Sequence, residues 1–447
     1  MKEKITHPKG LYLLFLVEMW ERFSYYGMRG ILILYLTKTI AQGGLAFSES
    51  LASHIYGAFT AFLYAAPLAG GYIADQYWGK RKAISVGSFF MMTGQFLLFL
   101  WNTPIGLCLG LILLAFGNGF FKPNISSLLG DLYTKDDPRK DAAFSIFYMG
   151  INIGAFLSPL IIGLLAEDFF AIKNEAGEIL SYGYRYGFLA SGIGMVCSQL
   201  IFSYFGPKFL GDAGYLTIQK KENNQPKTPL TKEEKDRILA IFVICIFVIA
   251  FWTGFEQAGA SITLYTDKFI DRNLLGWQIP TVWFQAVNAL FVITLAPVMA
   301  MFWMTKWGTR ISTPQKMAMG LLLLGLGFLS IYTATLTRGD SNNELIKANM
   351  LWVIVMYFLH TLGELSLSPV GLSVVTKLSP AQNVSFFMGV WFLASAIANW
   401  CVGLISALVS VWGASTIFLS LMLFSFFCGF LLLTLSKKIS FWMHGIH

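Results

Sequence analysis

Charge is scarce in this chain. Of 447 residues, 13% are Asp, Glu, Lys or Arg and 56% are hydrophobic, whereas about a quarter of an average soluble domain is charged. Cysteine is scarce as well. Cys108, Cys197, Cys245, Cys401 and Cys428 all fall in apolar runs without paired or metal-like spacing, which argues against a disulfide scaffold and leaves small packing residues. His7, His54, His360, His444 and His447 are scattered, and neither His-Glu-x-x-His nor Cys-x-x-Cys occurs. No metal site, no cofactor and no enzymatic chemistry is therefore expected. Lys122 follows Gly117 and Gly119 but lacks the Gly-x4-Gly-Lys spacing and preceding strand of a phosphate loop. No cleavable signal peptide is expected, because the first apolar run is long and carries charges.

What the chain has is long apolar runs. A membrane-spanning helix needs about 20 mostly apolar residues, and twelve such runs lie near 11–36, 50–75, 81–101, 105–131, 141–166, 186–206, 238–265, 281–305, 316–337, 348–376, 384–410 and 412–436. The expected fold class is all-α and integral to the lipid bilayer. The formal charge of +8 does not point to nucleic acid, because its distribution is topological. Basic residues gather at Lys2, Lys4 and Lys9, in the alternate loops at 80–82, 135–140, 208–237 and 306–316, at Lys377, and at Lys437 and Lys438. The opposite loops hold only Lys38, Lys173, Arg185, Lys268, Arg272, Arg338 and Lys347. This positive-inside bias puts both termini in the cytoplasm.

One polar stretch, 207–237, interrupts the rhythm with Lys-Lys-Glu-Asn-Asn-Gln-Pro-Lys-Thr-Pro at 220–229. It reads as a cytoplasmic linker between six spans at 1–206 and six at 238–447. The halves echo one another: Phe147-Tyr148-Met149-Gly150 is matched 239 positions later by Phe386-Phe387-Met388-Gly389. Such an echo fits two pseudo-symmetric six-helix halves with a site between them at the midplane.

The first span carries Glu18, Glu21, Arg22, Tyr25 and Arg29. On a helix Glu18, Arg22, Tyr25 and Arg29 form one stripe. Ionisable groups at membrane depth cost about 2.5–3.5 kcal/mol each, so by default they are functional. Lys122 in the fourth run needs a carboxylate or an anionic ligand to keep its proton. The seventh run carries Trp252, Glu256 and Gln257, and the tenth carries His360, Glu364 and Ser368. His360, one turn before Glu364, is expected to tune that carboxylate if both face one cavity. Asn152 and Asn288 add amides to the fifth and eighth runs, and Trp391, Ser395 and Asn399 form an i, i+4, i+8 stripe in the eleventh. Cations thus lie in the first half and two carboxylates in the second, the arrangement that gripping the two poles of a zwitterion requires. Between the second and third runs, Gly71-x3-Asp75-x3-Gly79-Lys80-Arg81-Lys82 resembles the loop signature of the major facilitator superfamily, which implies a gating contact for Asp75.

Glu18-x-x-Glu21-Arg22-Phe23-x-Tyr25-Tyr26, Phe147 to Gly154, Phe255-Glu256-Gln257-Ala258-Gly259 and Gly363 to Pro369 together resemble the signatures of the proton-dependent oligopeptide transporter (POT) family of that superfamily. The resemblance implies a proton-coupled symporter of di- and tripeptides, with protons as co-substrate, in a bacterial inner (plasma) membrane and active as a monomer. It implies that Glu18, Glu21, Arg22 and Glu256 couple protons, and that Arg29 and Lys122 receive the peptide carboxylate. Glu364, Asn152 and Asn288 would hold the amino terminus, while Tyr25, Tyr64, Trp252, Trp391 and Ser395 line the walls. Two departures stand out. The linker is too short and polar for the extra helix pair of many bacterial members, so twelve spans are expected. The histidine that some animal members carry in the second span is Gly57 here, which leaves coupling to the carboxylates. A carrier of nitrate, drug-like molecules or other small anions is the alternative, though it would gain nothing from Glu364. A non-transporting receptor would need an output domain, for which the linker and the tail after Lys437 are too short.

Overall fold

The computed structural model describes residues 6–134, 137–175, 177–215, 230–380 and 384–445, apart from the side chains at 368–373, 376, 384 and 385. Residues 216–229 of the expected linker and the Ser368 side chain lie outside the described residues. The helices are α1 (Lys9–Thr37), α2 (Glu49–Ile73), α3 (Lys80–Leu100), α4 (Pro104–Asp131), α5 (Lys140–Leu164), α6 (Tyr184–Phe209), α7 (Lys232–Phe255), α8 (Ser261–Phe269), α9 (Trp283–Met304), α10 (Thr313–Thr337), α11 (Leu351–Leu378), α12 (Val384–Trp412) and α13 (Ala414–Trp442). α7 and α8 are two pieces of one rod, broken by a 3-10 turn at Glu256–Gly259. The run expected near 238–265 returns as this one rod, Lys232–Phe269, with the turn as an added feature.

Ten of the twelve rods are long and apolar enough to cross a membrane. α1 stands apart because Glu18, Glu21, Arg22 and Arg29 interrupt its apolar run, and α11 counts through its shorter apolar stretch Leu351–Leu367. The helix starts obey local rules. Thr103 caps α4 by accepting from the Gly106 N–H, with Pro104 in the first turn, where a missing N–H costs nothing. Thr231 and Glu234 form a capping box on α7, and Ser312 with Gln315 does the same on α10. At the α12–α13 corner Gly413 has φ +84, a conformation that a β-carbon would strain.

The chain divides into two compact units, Met1–Phe47 with Phe62–Asn223, and Ser48–Ala61 with Asn224–His447. In the first, α1 packs on α5 and α6, and α3 packs on α4 and α6. In the second, α7 packs on α12 and α13, and α10 on α11 and α13. The same pairs recur, as an internal repeat requires. Between helices in lipid the hydrophobic effect is weak, so small residues and interhelical hydrogen bonds do the holding. α1, buried almost all round from Gly10 to Leu36, shows both. A β-carbon on Gly154 of α5 would lie 2.4 Å from the Met19 carbonyl oxygen. The Ser158 hydroxyl donates to the Phe23 carbonyl, the Ser198 hydroxyl to the Val17 carbonyl (2.9 Å), and the Gln95 amide to Ser24 Oγ (3.2 Å).

Short strands lie in the loops of each unit. β1 (Ile172–Lys173) pairs with β2 (Ile179–Ser181), and β4 (Asn273–Leu274) with β5 (Trp277–Gln278), both antiparallel. β3 (Ile270–Asp271) lies parallel to β6 (Ala348–Asn349).

Candidate functional site

The first unit holds a buried ionic cluster on α1. Arg22 Nε lies 3.2 Å from Glu18 Oε1 and also hydrogen-bonds Glu21 Oε2. Side chains four apart on a helix are neighbours, so the first of these contacts follows from spacing alone. Glu18, Glu21 and Arg22 are 2%, 0% and 3% exposed, so any change in their charge state is felt at low dielectric. The cluster is not fully satisfied: Glu18 Oε2, Glu21 Oε1 and Arg22 Nη2 have no hydrogen-bond partner among the described residues. The Arg22 guanidinium lies over the Tyr25 ring at 5.3 Å.

Lys122 joins from α4. Its charge acts on both Glu18 and Glu21, and its ammonium sits 4.8 Å from the centre of the Tyr64 ring. Local sequence places it there. Pro123 has no N–H to give the Gly119 carbonyl one turn back, and at that carbonyl α2 comes close, with a β-carbon on Gly70 only 2.1 Å away. Asn118 donates to the Leu63 carbonyl (3.1 Å) and ties α4 to α2. Arg29 is buried on the same helix as the cluster. Asn152 donates to the Tyr148 carbonyl of its own helix at 2.9 Å.

At the loop signature, Asp75 lies in a π-helical turn, Ala74–Trp78. Lys80 pairs with Asp131 at 2.5 Å. Arg81 donates to the carbonyls of Ala213 (2.7 Å) and Gly211 (2.6 Å) and stacks on Tyr215 at 4.1 Å. Arg81 therefore holds the segment after α6 against the start of α3, while Lys80 ties that start to the end of α4. In the loop between α4 and α5, Arg139 hydrogen bonds hold the Asp137 carboxyl well below its ordinary value, at about 2.

The second unit holds the two carboxylates singled out from sequence, Glu256 and Glu364. Glu256 is buried where α7 ends, and Glu364 of α11 feels its charge. Asn288 of α9 donates to Glu364 Oε2 (3.0 Å) and to Thr361 Oγ1 (2.9 Å), so one amide bridges two positions of α11. Thr361, which sequence reasoning missed, sits one turn from Glu364 without a charge to mark it. The break beside Glu256 is held by side chains. Ser261 donates to Gln257 Oε1 (2.6 Å), and Gln257 and Thr253 make long 3.4 Å bonds to the Val402 and Ala398 carbonyls of α12. Trp252 packs edge-on against Phe251 and Phe255. Ser395 and Asn399 donate to carbonyls of their own helix, those of Trp391 and Ser395.

His360 does not join Glu364. Its fully buried ring fills the notch left by Gly327, where a β-carbon would be 2.2 Å from His360 Cδ2, and lies 5.0 Å from the Phe328 ring. The expectation that it tunes Glu364 is corrected. The His360 ring is seated against Gly327 of α10, whereas the Glu364 carboxylate meets Asn288 of α9.

Comparison with known proteins supports one assignment. The POT family model matches residues 81–227 and 212–418. An uncharacterized transporter of Bacillus subtilis, YclF, is 33% identical over 98% of this chain and 96% of its own length. The peptide transporter YePEPT of Yersinia enterocolitica is 33% identical over 89% of this chain and 87% of its own length. A crystal structure of a peptide transporter POT in complex with sulfate superposes with a TM-score of 0.88 at 32% identity, covering 99% of this chain and 97% of that one. With twelve rods, a repeated packing pattern and carboxylates and cations buried at membrane depth, this chain has the major facilitator fold and belongs to the POT family.

Proposed function

We propose that the protein is a proton-coupled symporter that imports di- and tripeptides by alternating access, with both termini in the cytoplasm. The observation that carries this reading is the division of charge between the units. Arg29 and Lys122 offer cations to a carboxylate in the first unit, and Glu364, oriented by Asn288, offers an anion to an amino terminus in the second. Tyr25, Tyr64, Trp252, Trp391 and Ser395 supply walls with few directional contacts, which suits varied side chains. Asn152 is the further amide we assign to the amino terminus.

Proton coupling belongs to Glu18, Glu21 and Arg22, with Glu256 as the second proton site. A proton on Glu18 or Glu21 removes one side of an ion pair that is made within α1, and so biases the same equilibrium that substrate biases. The two carboxylates titrate as a group. A neutral zwitterion moving with one proton carries net charge, which yields about 2.3 kcal/mol per 100 mV of inside-negative potential. Asp75 acts at a gate through the loop it begins.

The test is uptake of labelled dialanine into proteoliposomes under an inward proton gradient and negative-inside potential. Accumulation above equilibrium is expected, and Glu21→Gln should abolish it while counterflow persists. Folded protein that takes up no dipeptide would overturn the peptide assignment, leaving small anionic and drug-like cargo.

A further inference from the structure

The loop between α8 and α9 is a tight hairpin with an apolar tip. Asn273 pairs with Gln278 and Leu274 with Trp277, so Leu275 and Gly276 alone make the turn. Both have positive φ, +53 and +86, the type I′ geometry in which Asn-Gly or Gly-Gly is the ordinary choice for a turn in water. A leucine in that conformation is strained, and this one is 99% exposed, flanked by exposed Leu274 and Trp277. A strained and fully exposed leucine gains nothing from water.

The base of the hairpin is rigid. Arg272 and Asp267, 3% and 5% exposed, pair at 3.3 Å. Arg272 donates from Nη1 to the Ile279 carbonyl at 2.7 Å and receives the Ile279 N–H at its own carbonyl at 2.8 Å. Thr281 donates to Asp267 at 3.0 Å, and β3 is laced to β6. The tip is thus aimed by a buried polar lock.

What it meets is indicated by continuity. No charged residue occurs between Arg272 and Lys306, so the uncharged hairpin runs directly into the membrane-crossing α9. Trp277 packs edge-on at 5.2 Å against Trp283, the first residue of that helix. Tryptophan at the end of a span marks the headgroup level, where an apolar ring with one polar edge is best solvated. We infer that the Asn273–Gln278 hairpin is a membrane-interface anchor, whose tip seats among the lipid headgroups and glycerol backbones beside α9. On the positive-inside reading this is the outer leaflet. The anchor depends on the protein spanning the bilayer and is independent of what it transports.

The probe is a polarity-sensitive fluorophore on Leu275→Cys, in a background with the five native cysteines replaced and the parent's thermal midpoint retained, reconstituted in phosphatidylethanolamine–phosphatidylglycerol vesicles. A label on Asn342→Cys, in another exposed polar loop, is the aqueous reference. Shallow nitroxide lipids should quench the Leu275 label at least about twofold more than the reference, as expected of a side chain buried at the headgroup–acyl boundary. Aqueous iodide should do the reverse. Equal iodide quenching at both sites with no lipid quenching would overturn the proposal. So would protection that depends on protein density in the vesicle, which would mean a second copy covers the tip. If Leu275→Cys does not fold, Leu274→Cys carries the same label and the same two outcomes.

Discussion

α1 and α7 hold matching places in their units, each packed on two helices of its own unit, yet they are built in opposite ways. α1 is one helix of 29 residues, and its two carboxylates meet their counter-charge on the helix itself, through Arg22. Serine hydroxyls from α5 and α6 pin its carbonyls, and Gly154 lets α5 press on its backbone. α7 stops after 24 residues, and Glu256 sits at the stop with long 3.4 Å bonds nearby. One unit keeps its charges on a fixed rail, and the other keeps a carboxylate on a joint. In the proposed symporter a proton taken by the rail changes the charge on a fixed frame, whereas one taken by the joint arrives where the helix is already broken.

The largest expected effect tests the rail. Arg22→Ala strands two buried carboxylates, and breaking such a pair costs about 3–5 kcal/mol, so folded protein after solubilisation should fall sharply. Glu256→Gln keeps volume and hydrogen bonding, so it should fold, exchange peptide in counterflow and fail to accumulate it against a gradient. Equal thermal midpoints for the two variants would erase the distinction. A sharper version uses glycine. Gly154→Leu meets the Met19 carbonyl, backbone that cannot move aside, and should lower stability by about 1–3 kcal/mol. Gly254→Ala on α7 meets side chains alone, Leu324 at 2.9 Å and the Phe328 ring at 3.0 Å, so its thermal midpoint should fall less than that of Gly154→Leu.

The smallest expected effect concerns pH. The Asp137 carboxyl is held at about 2 by Arg139, below its unfolded value near 4. A depressed carboxylate contributes above its unfolded pKa and is lost as pH falls through its folded one. Between pH 5 and 8 this pair does not titrate. Asp137→Asn should leave the pH profile of uptake unmoved, and a shifted midpoint would place part of the coupling outside the membrane-spanning helices.

Much of this was legible in the sequence, for physical reasons. Apolar length dictates spans, so the first run at 11–36 returns as Lys9–Thr37. Spacing of four dictates the Glu18–Arg22 contact. The break in α7 was hidden because hydropathy is blind to hydrogen bonding, and Gln257 with Ser261 reads as polar punctuation until the two are seen bonded. The direction of His360 was hidden because it depends on Gly327, a residue on another helix with no side chain to announce itself. The β3–β6 ladder joins loops far apart in the chain through backbone atoms alone, which no side-chain pattern encodes.

The neutral bookkeeping of α1 also bears on how the protein is made. With Glu18, Glu21, Arg22 and Arg29, α1 is a poor substrate for insertion if each charge enters lipid alone. Because Arg22 engages both carboxylates and Arg29 further along the helix offsets the negative charge left over, the four formal charges sum to zero within α1 itself. The segment can leave the insertion machinery as a nearly neutral cylinder and wait there for α5 and α6 to close around it.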